Sequence, residues 1–147
     1  MRLEVFILPV ADVDRAKAFY EQAGFVLDVD HQPNEQFRVV QFTPPGSECS
    51  VTFGIGLGEV PASPLKGIHL CVSDIEEAVA ELSDRGIQTD PIRHMGANGW
   101  VDGVDPERRK YGSYSGFIDP DGNGWLLQEV GNGKSRGERH DKSQDST

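Results

Sequence analysis

Two histidines stand where this chain could move a proton or hold a ligand. His69 lies in an apolar, β-branched run from Ile68 to Val72, and His94 near the start of a long polar and aromatic stretch. An imidazole changes charge near neutral pH, so either ring could act as general acid or base. For His69 the competing expectation is a side chain satisfied by internal hydrogen bonds. The stretch from Arg93 to Tyr114 adds Trp100, Arg108, Arg109, Tyr111 and Tyr114. Trp100 and Tyr111 suit stacking on a planar ligand, and Arg108 or Arg109 suits pairing with a carboxylate. A stretch of this length without clear periodicity reads as a lid or binding loop, or as a surface loop packed by its own aromatics.

Further candidates come from strand alternation. Gln41 and Phe37 share one face of a strand and Arg38 takes the other, while Gln128 is in phase with Leu126. Each of these also fits ordinary alternation. The two cysteines, Cys49 and Cys71, form no CxxC pair and read as free thiols. Cys71 shares the phase of His69 and so becomes a candidate ligand contact.

Other chemistries lack their signatures. There is no GxSxG, HExxH or paired CxxC pattern. Gly54, Gly56 and Gly58 form a GxGxG string with no following Lys-Ser/Thr and no helix start, so it reads as flexible linker rather than phosphate loop. Asp119, Asp121 and Asn123 imitate the start of a calcium loop, but the twelfth position is Val130 instead of Glu, and a hairpin turn is expected. The net charge is −10, from 24 acidic and 14 basic residues. Such a surface disfavours nucleic acid and favours a cationic small molecule, or simply keeps the protein soluble. No run approaches the ~18 apolar residues of a membrane span. With no signal-peptide pattern at the start, cytoplasmic residence is the expectation.

The elements that must position these residues come as a repeat. Val10 to Phe25 aligns without a gap on Val72 to Ile87, matching Val10 with Val72, Asp12 with Asp74, Ala16 and Ala18 with Ala78 and Ala80, and Gly24 with Gly86. Asp12 and Asp74 read as helix N-caps, and Gly24 and Gly86 as left-handed C-terminal caps. Apolar residues at helical spacing lie between them. A β-rich run precedes each cap, and three short strands follow each helix: Gly24 to Asp30, Phe37 to Phe42 and Cys49 to Phe53, then Ile87 to Arg93, Tyr114 to Ile118 and Trp125 to Val130. The expected organisation is one domain over 1–130. Its modules are βαβββ units at 1–58 and 67–130, joined by a linker at 56–66. A disordered tail is expected at 131–147.

A duplicated βαβββ unit with Leu8 to Tyr20, Val72 to Leu82 and Asp119 to Trp125 in these forms resembles the vicinal oxygen chelate superfamily of glyoxalases, bleomycin-resistance proteins and extradiol dioxygenases. The resemblance implies an α+β fold in which two modules form a cupped mixed sheet around a central cavity, with pairing into a homodimer. It also implies a divalent metal held by first-strand and last-strand side chains. Here Val5 and Gly67 stand seven residues before Asp12 and Asp74, and Leu126 stands four after Gly122. None of the three can ligate a metal. In the looser stretch Cys49 to Phe53, Ser50 and Thr52 are the polar choices. Glu129 sits near the expected glutamate but in the opposite strand phase, and a His69–Cys71 pair falls short of a full ligand set.

The expected function is therefore that of a glyoxalase- and bleomycin-resistance-like protein that binds a small organic molecule with neither metal nor cofactor. His69 and His94 are the candidate catalytic residues. Gln41, Cys71, Trp100, Arg109, Tyr111 and Gln128 are the candidate ligand contacts. Two alternatives stand beside it: a metal-free enzyme using His69 or His94 as acid–base, and a metal-dependent lyase or dioxygenase with displaced ligands.

Overall fold

Both expected helices begin where an aspartate can satisfy their free N–H groups. The computed structural model describes residues 1–131. Within it, helix α1 spans Val13–Gln22 and helix α2 spans Ile75–Asp84. The Asp12 carboxylate accepts from Arg15 N–H at 3.0 Å, and Asp74 accepts from Glu77 N–H at 3.1 Å. Gly24 and Gly86 follow the helices with φ of +92° and +83°, the left-handed conformation that ends a helix.

The strands form two sheets. The first has the order β1-β4-β3-β2, built from Val5–Ile7, Ser50–Ile55, Phe37–Thr43 and Val26–Asn34. Strand β1 runs parallel to β4, and the other pairs are antiparallel. The second has the order β5-β9-β8-β6-β7, built from Ile68–Val72, Gly124–Glu129, Ser113–Ile118, Arg93–Gly96 and Gly99–Asp102. The α+β, two-module reading of the sequence is the fold observed. The described chain divides into two compact units, one of residues 1–68, 85–87 and 118–125, the other of 69–84, 88–117 and 126–131.

In the first unit the core gathers around Tyr20, which is fully buried among Phe25, Phe42, Phe53 and Trp125, with ring centroids 5.2 to 6.0 Å away. The Tyr20 hydroxyl donates to Asp119 Oδ2 at 2.6 Å and accepts from Trp125 Nε1 at 2.9 Å. Burial first, and then the Asp119 carboxylate, push the Tyr20 phenol well above its ordinary range. Asp119 also accepts from the backbone N–H groups of Asp121 and Asn123 and from the Asn123 side chain. The Asp119–Asn123 segment thus makes the turn expected before the last strand.

Three local expectations are corrected. Ile87 to Ile92 is not strand, and pairing begins only at Arg93: Pro91 offers no N–H, and ahead of it Asp90 N–H bonds Gly116 O and Ser115 Oγ bonds Asp90 O. Instead, Arg93–Gly96 and Gly99–Asp102 form a hairpin, so part of the expected loop is regular sheet. Gly54 belongs to β4, not to a flexible linker: a Cβ there would lie 1.8 Å from Arg38 O. The expected disordered tail lies, beyond Gly131, outside the described residues.

Candidate functional site

Strand register in the second unit places a set of polar and aromatic side chains on one sheet face. Arg93 opposes both Asp102 and Tyr114, and Met95 opposes Trp100. Directly opposed residues share a face, as do residues two apart, so all five lie together. Gln128 on β9 joins them: its Nε2 donates to Tyr114 Oη at 3.0 Å and to Tyr111 O at 3.3 Å. Its Oε1 meets His69 Nδ1 at 2.9 Å. The Trp100 and Tyr114 rings meet edge to face at 5.3 Å, and the Arg93 guanidinium lies 4.8 Å from the Trp100 ring centre. Trp100 is 51% exposed, so much of its ring is open to a ligand. His69 and Cys71 are exposed on β5 in the same strand phase.

The remaining candidates of this unit are occupied elsewhere. His94 is buried, with Nδ1 2.8 Å from Gly103 O, and it opposes Val101 rather than Trp100. Arg109 bonds Asp105 and Glu107, at 3.2 and 2.9 Å. Arg108 grips Glu129 with two bonds, at 3.1 and 2.9 Å. Glu129 is almost fully buried, and its Oε2 also accepts from Ile75 N–H at the start of α2. The glutamate that stood nearest the expected metal position is therefore committed to a helix terminus and an arginine. Its hydrogen bonds and charge hold the Arg108 guanidinium above its ordinary range.

Arg108 and Tyr111 both adopt left-handed backbone, φ +48° and +56°. Asp105 anchors this strained turn by accepting from Glu107 and Arg109 N–H. Burial pushes the Asp105 carboxyl up, but those two N–H groups outweigh it and lower its pKa. A groove of about 300 Å³ beside Arg108 is lined by Ser73, Asp74, Glu129, Val130 and Gly131. Its charged groups already satisfy one another, so the face bearing His69 and Trp100 is the stronger candidate.

Gln41 belongs to the first unit. It opposes Val29 and Thr52, and Arg38, on the opposite strand phase, reaches Asp14 of α1. On the same side of that sheet Ser50 Oγ lies 2.6 Å from Thr43 Oγ1, which also bonds Asp28, while Thr52 Oγ1 donates to Val40 O. Asp28 and Thr43 were not legible as partners because a bulge between Leu27 and Val29 sets their meeting. Arg93 and Tyr114 were likewise missed as a unit with Trp100. The Gly96-Ala97-Asn98-Gly99 turn was the available hairpin signal.

Three of the four positions at which the resemblance implies metal ligands hold Val5, Gly67 and Leu126. Val5 and Leu126 carry no donor, and Gly67 is left-handed, with φ +72°, just before β5 begins. Among the described residues no three His, Cys, Asp or Glu side chains converge as a metal site.

The model of the Glyoxalase/Bleomycin resistance protein/Dioxygenase superfamily matches residues 2–127. Among solved structures, TnmS3, an antibiotic binding protein from Streptomyces sp. CB03234, is 30% identical, covers 88% of this chain and 96% of its own, and superposes with a TM-score of 0.65. A glyoxalase/bleomycin resistance protein from the same Streptomyces is also 30% identical, with 87% and 100% covered and a TM-score of 0.63. A superfamily member from Sphaerobacter thermophilus is 28% identical, with 88% and 97% covered and a TM-score of 0.64. No curated protein matches the chain significantly.

Proposed function

The chain belongs to the Glyoxalase/Bleomycin resistance protein/Dioxygenase superfamily, and we propose that within it the protein binds a small aromatic organic molecule of antibiotic type without a resident metal. One observation carries this reading: the connected row His69–Gln128–Tyr114–Trp100–Arg93, in which Gln128 and Tyr114 are buried and hold together the exposed His69, Trp100 and Arg93. It offers hydrogen-bonding groups at one end and an exposed aromatic ring at the other, the pairing that small-molecule sites use for orientation and area. The 30% identity to an antibiotic binding protein supports the same class. The net charge of −10 favours a cationic ligand. The absence of donors at Val5, Gly67 and Leu126 supports metal independence. Residence in the cytoplasm and pairing as a homodimer complete the proposal.

The acid–base alternative is less well supported. The neutral amide of Gln128, not a carboxylate, orients His69, and an amide gives an imidazolium little of the stabilisation that a catalytic aspartate gives. His94 is held by a backbone carbonyl.

Titration of the protein with a panel of cationic aromatic antibiotics, followed by tryptophan fluorescence, tests the reading. Trp125 is buried and Trp100 half exposed, so saturable quenching that disappears in Trp100→Phe is expected. No saturable change with any member, together with turnover of a glyoxalase- or dioxygenase-type substrate on adding metal, would refute it.

A further inference from the structure

Resting on that binding reading, we infer that the occupant of this face carries an O–H or N–H at the edge of a planar aromatic system, and that His69 Nε2 accepts its hydrogen. The polarity follows from Gln128. A backbone carbonyl can only accept, so the Gln128 atom 3.3 Å from Tyr111 O is the nitrogen. The second Nε2 bond, to Tyr114 Oη at 3.0 Å, agrees with that orientation. The Gln128 oxygen is then the atom facing His69 Nδ1 at 2.9 Å, and an oxygen there requires Nδ1 to carry the ring hydrogen. The neutral ring is left with a bare lone pair on Nε2, on an exposed side chain. An ether or ketone oxygen placed against it meets lone pair to lone pair. A phenol, amine or amide N–H meets an acceptor.

The aromatic part of the inference comes from the neighbouring strands. His69 is on β5 and Tyr114 on β8, with β9 between them. At roughly 4.8 Å per strand, Tyr114 stands about 10 Å across the sheet from His69. A fused two-ring system with a hydroxyl on its edge is on the scale of that distance. It would place its hydroxyl at His69 and its rings toward the exposed Trp100, which packs edge to face on the buried Tyr114.

The test compares 2-naphthol with 2-methoxynaphthalene, by ligand-observed NMR titration of the full chain and of His69→Phe. The ether has the same rings and no hydrogen to donate. The naphthol-to-ether affinity ratio is expected to fall at least about fivefold in His69→Phe, the effect of one net hydrogen bond. The ether should bind both proteins alike, which also reports that the variant is folded. Saturating naphthol should slow alkylation of Cys71, which shares the His69 face. An unchanged ratio with both compounds bound would overturn the inference and leave the binding reading standing. Failure of both compounds to bind the parent protein would overturn both.

Discussion

Removing one oxygen from the first unit's core should cost the protein a large part of its stability. Tyr20→Phe leaves the ring contacts in place and deletes the hydroxyl that joins Asp119 Oδ2, at 2.6 Å, to Trp125 Nε1, at 2.9 Å. A hydrogen bond to a carboxylate contributes roughly 1.5–3 kcal/mol, and a buried N–H that loses its acceptor costs about 1–3 kcal/mol. Asp119 keeps its other donors, so the two effects overlap and the total is about 3 kcal/mol. For a chain of this size that corresponds to a fall in Tm of roughly 10 °C. Scanning calorimetry at neutral pH measures it directly. The effect also carries a pH signature. The Tyr20 phenol is raised in the folded protein, whereas in the unfolded chain it ionises near 10. The stability contributed by the neutral hydroxyl is therefore fully present below about pH 10 and is lost as pH rises beyond it. The gap between the parent protein and Tyr20→Phe should narrow by about 1.4 kcal/mol at pH 11. Other titrating groups are common to both proteins and cancel in the comparison. A neutral-pH loss below about 1 kcal/mol, or a gap that widens in alkali, would refute the role given to this hydroxyl.

Two further perturbations test the packing. Arg38 and Lys17 bond the Asp30 carboxylate and depress its pKa, the Arg38 hydrogen bonds most. The stability it contributes is present above about pH 4 and lost as pH falls below, so the Tm advantage of the parent over Asp30→Asn should shrink toward zero on acid titration. Gly54→Ala should destabilise by about 1–3 kcal/mol in denaturant unfolding, because its Cβ would meet the Arg38 backbone oxygen at 1.8 Å, with no flexible side chain to yield.

The fold was legible because its signals are local and come twice. Asp12 and Asp74, Gly24 and Gly86 announce the ends of the same helix in each module, and both helices begin and end there. The hairpin of Arg93–Gly96 and Gly99–Asp102 was not legible, because Arg-His-Met-Gly and Gly-Trp-Val-Asp lack a clean alternation of apolar and polar residues. Strand phase separated Gln128 from Glu129 correctly: one reaches His69, the other the α2 terminus. What phase could not supply was partners. The grip of Arg108 on Glu129 depends on a left-handed turn 21 residues upstream, and no periodicity encodes it. The Arg93–Trp100–Tyr114 cluster needed the hairpin register first.

The most direct measurement of the binding proposal uses protein treated with chelator and verified by elemental analysis to carry less than about a tenth of an equivalent of metal. It is incubated with the antibiotic that quenches Trp100 fluorescence, separated from free ligand, and the bound compound is identified by mass spectrometry. Stoichiometric ligand recovered chemically unchanged, with affinity unaltered by added divalent metal, is the expected result. Binding that appears only with about one equivalent of metal, or recovery of a converted product, would contradict it.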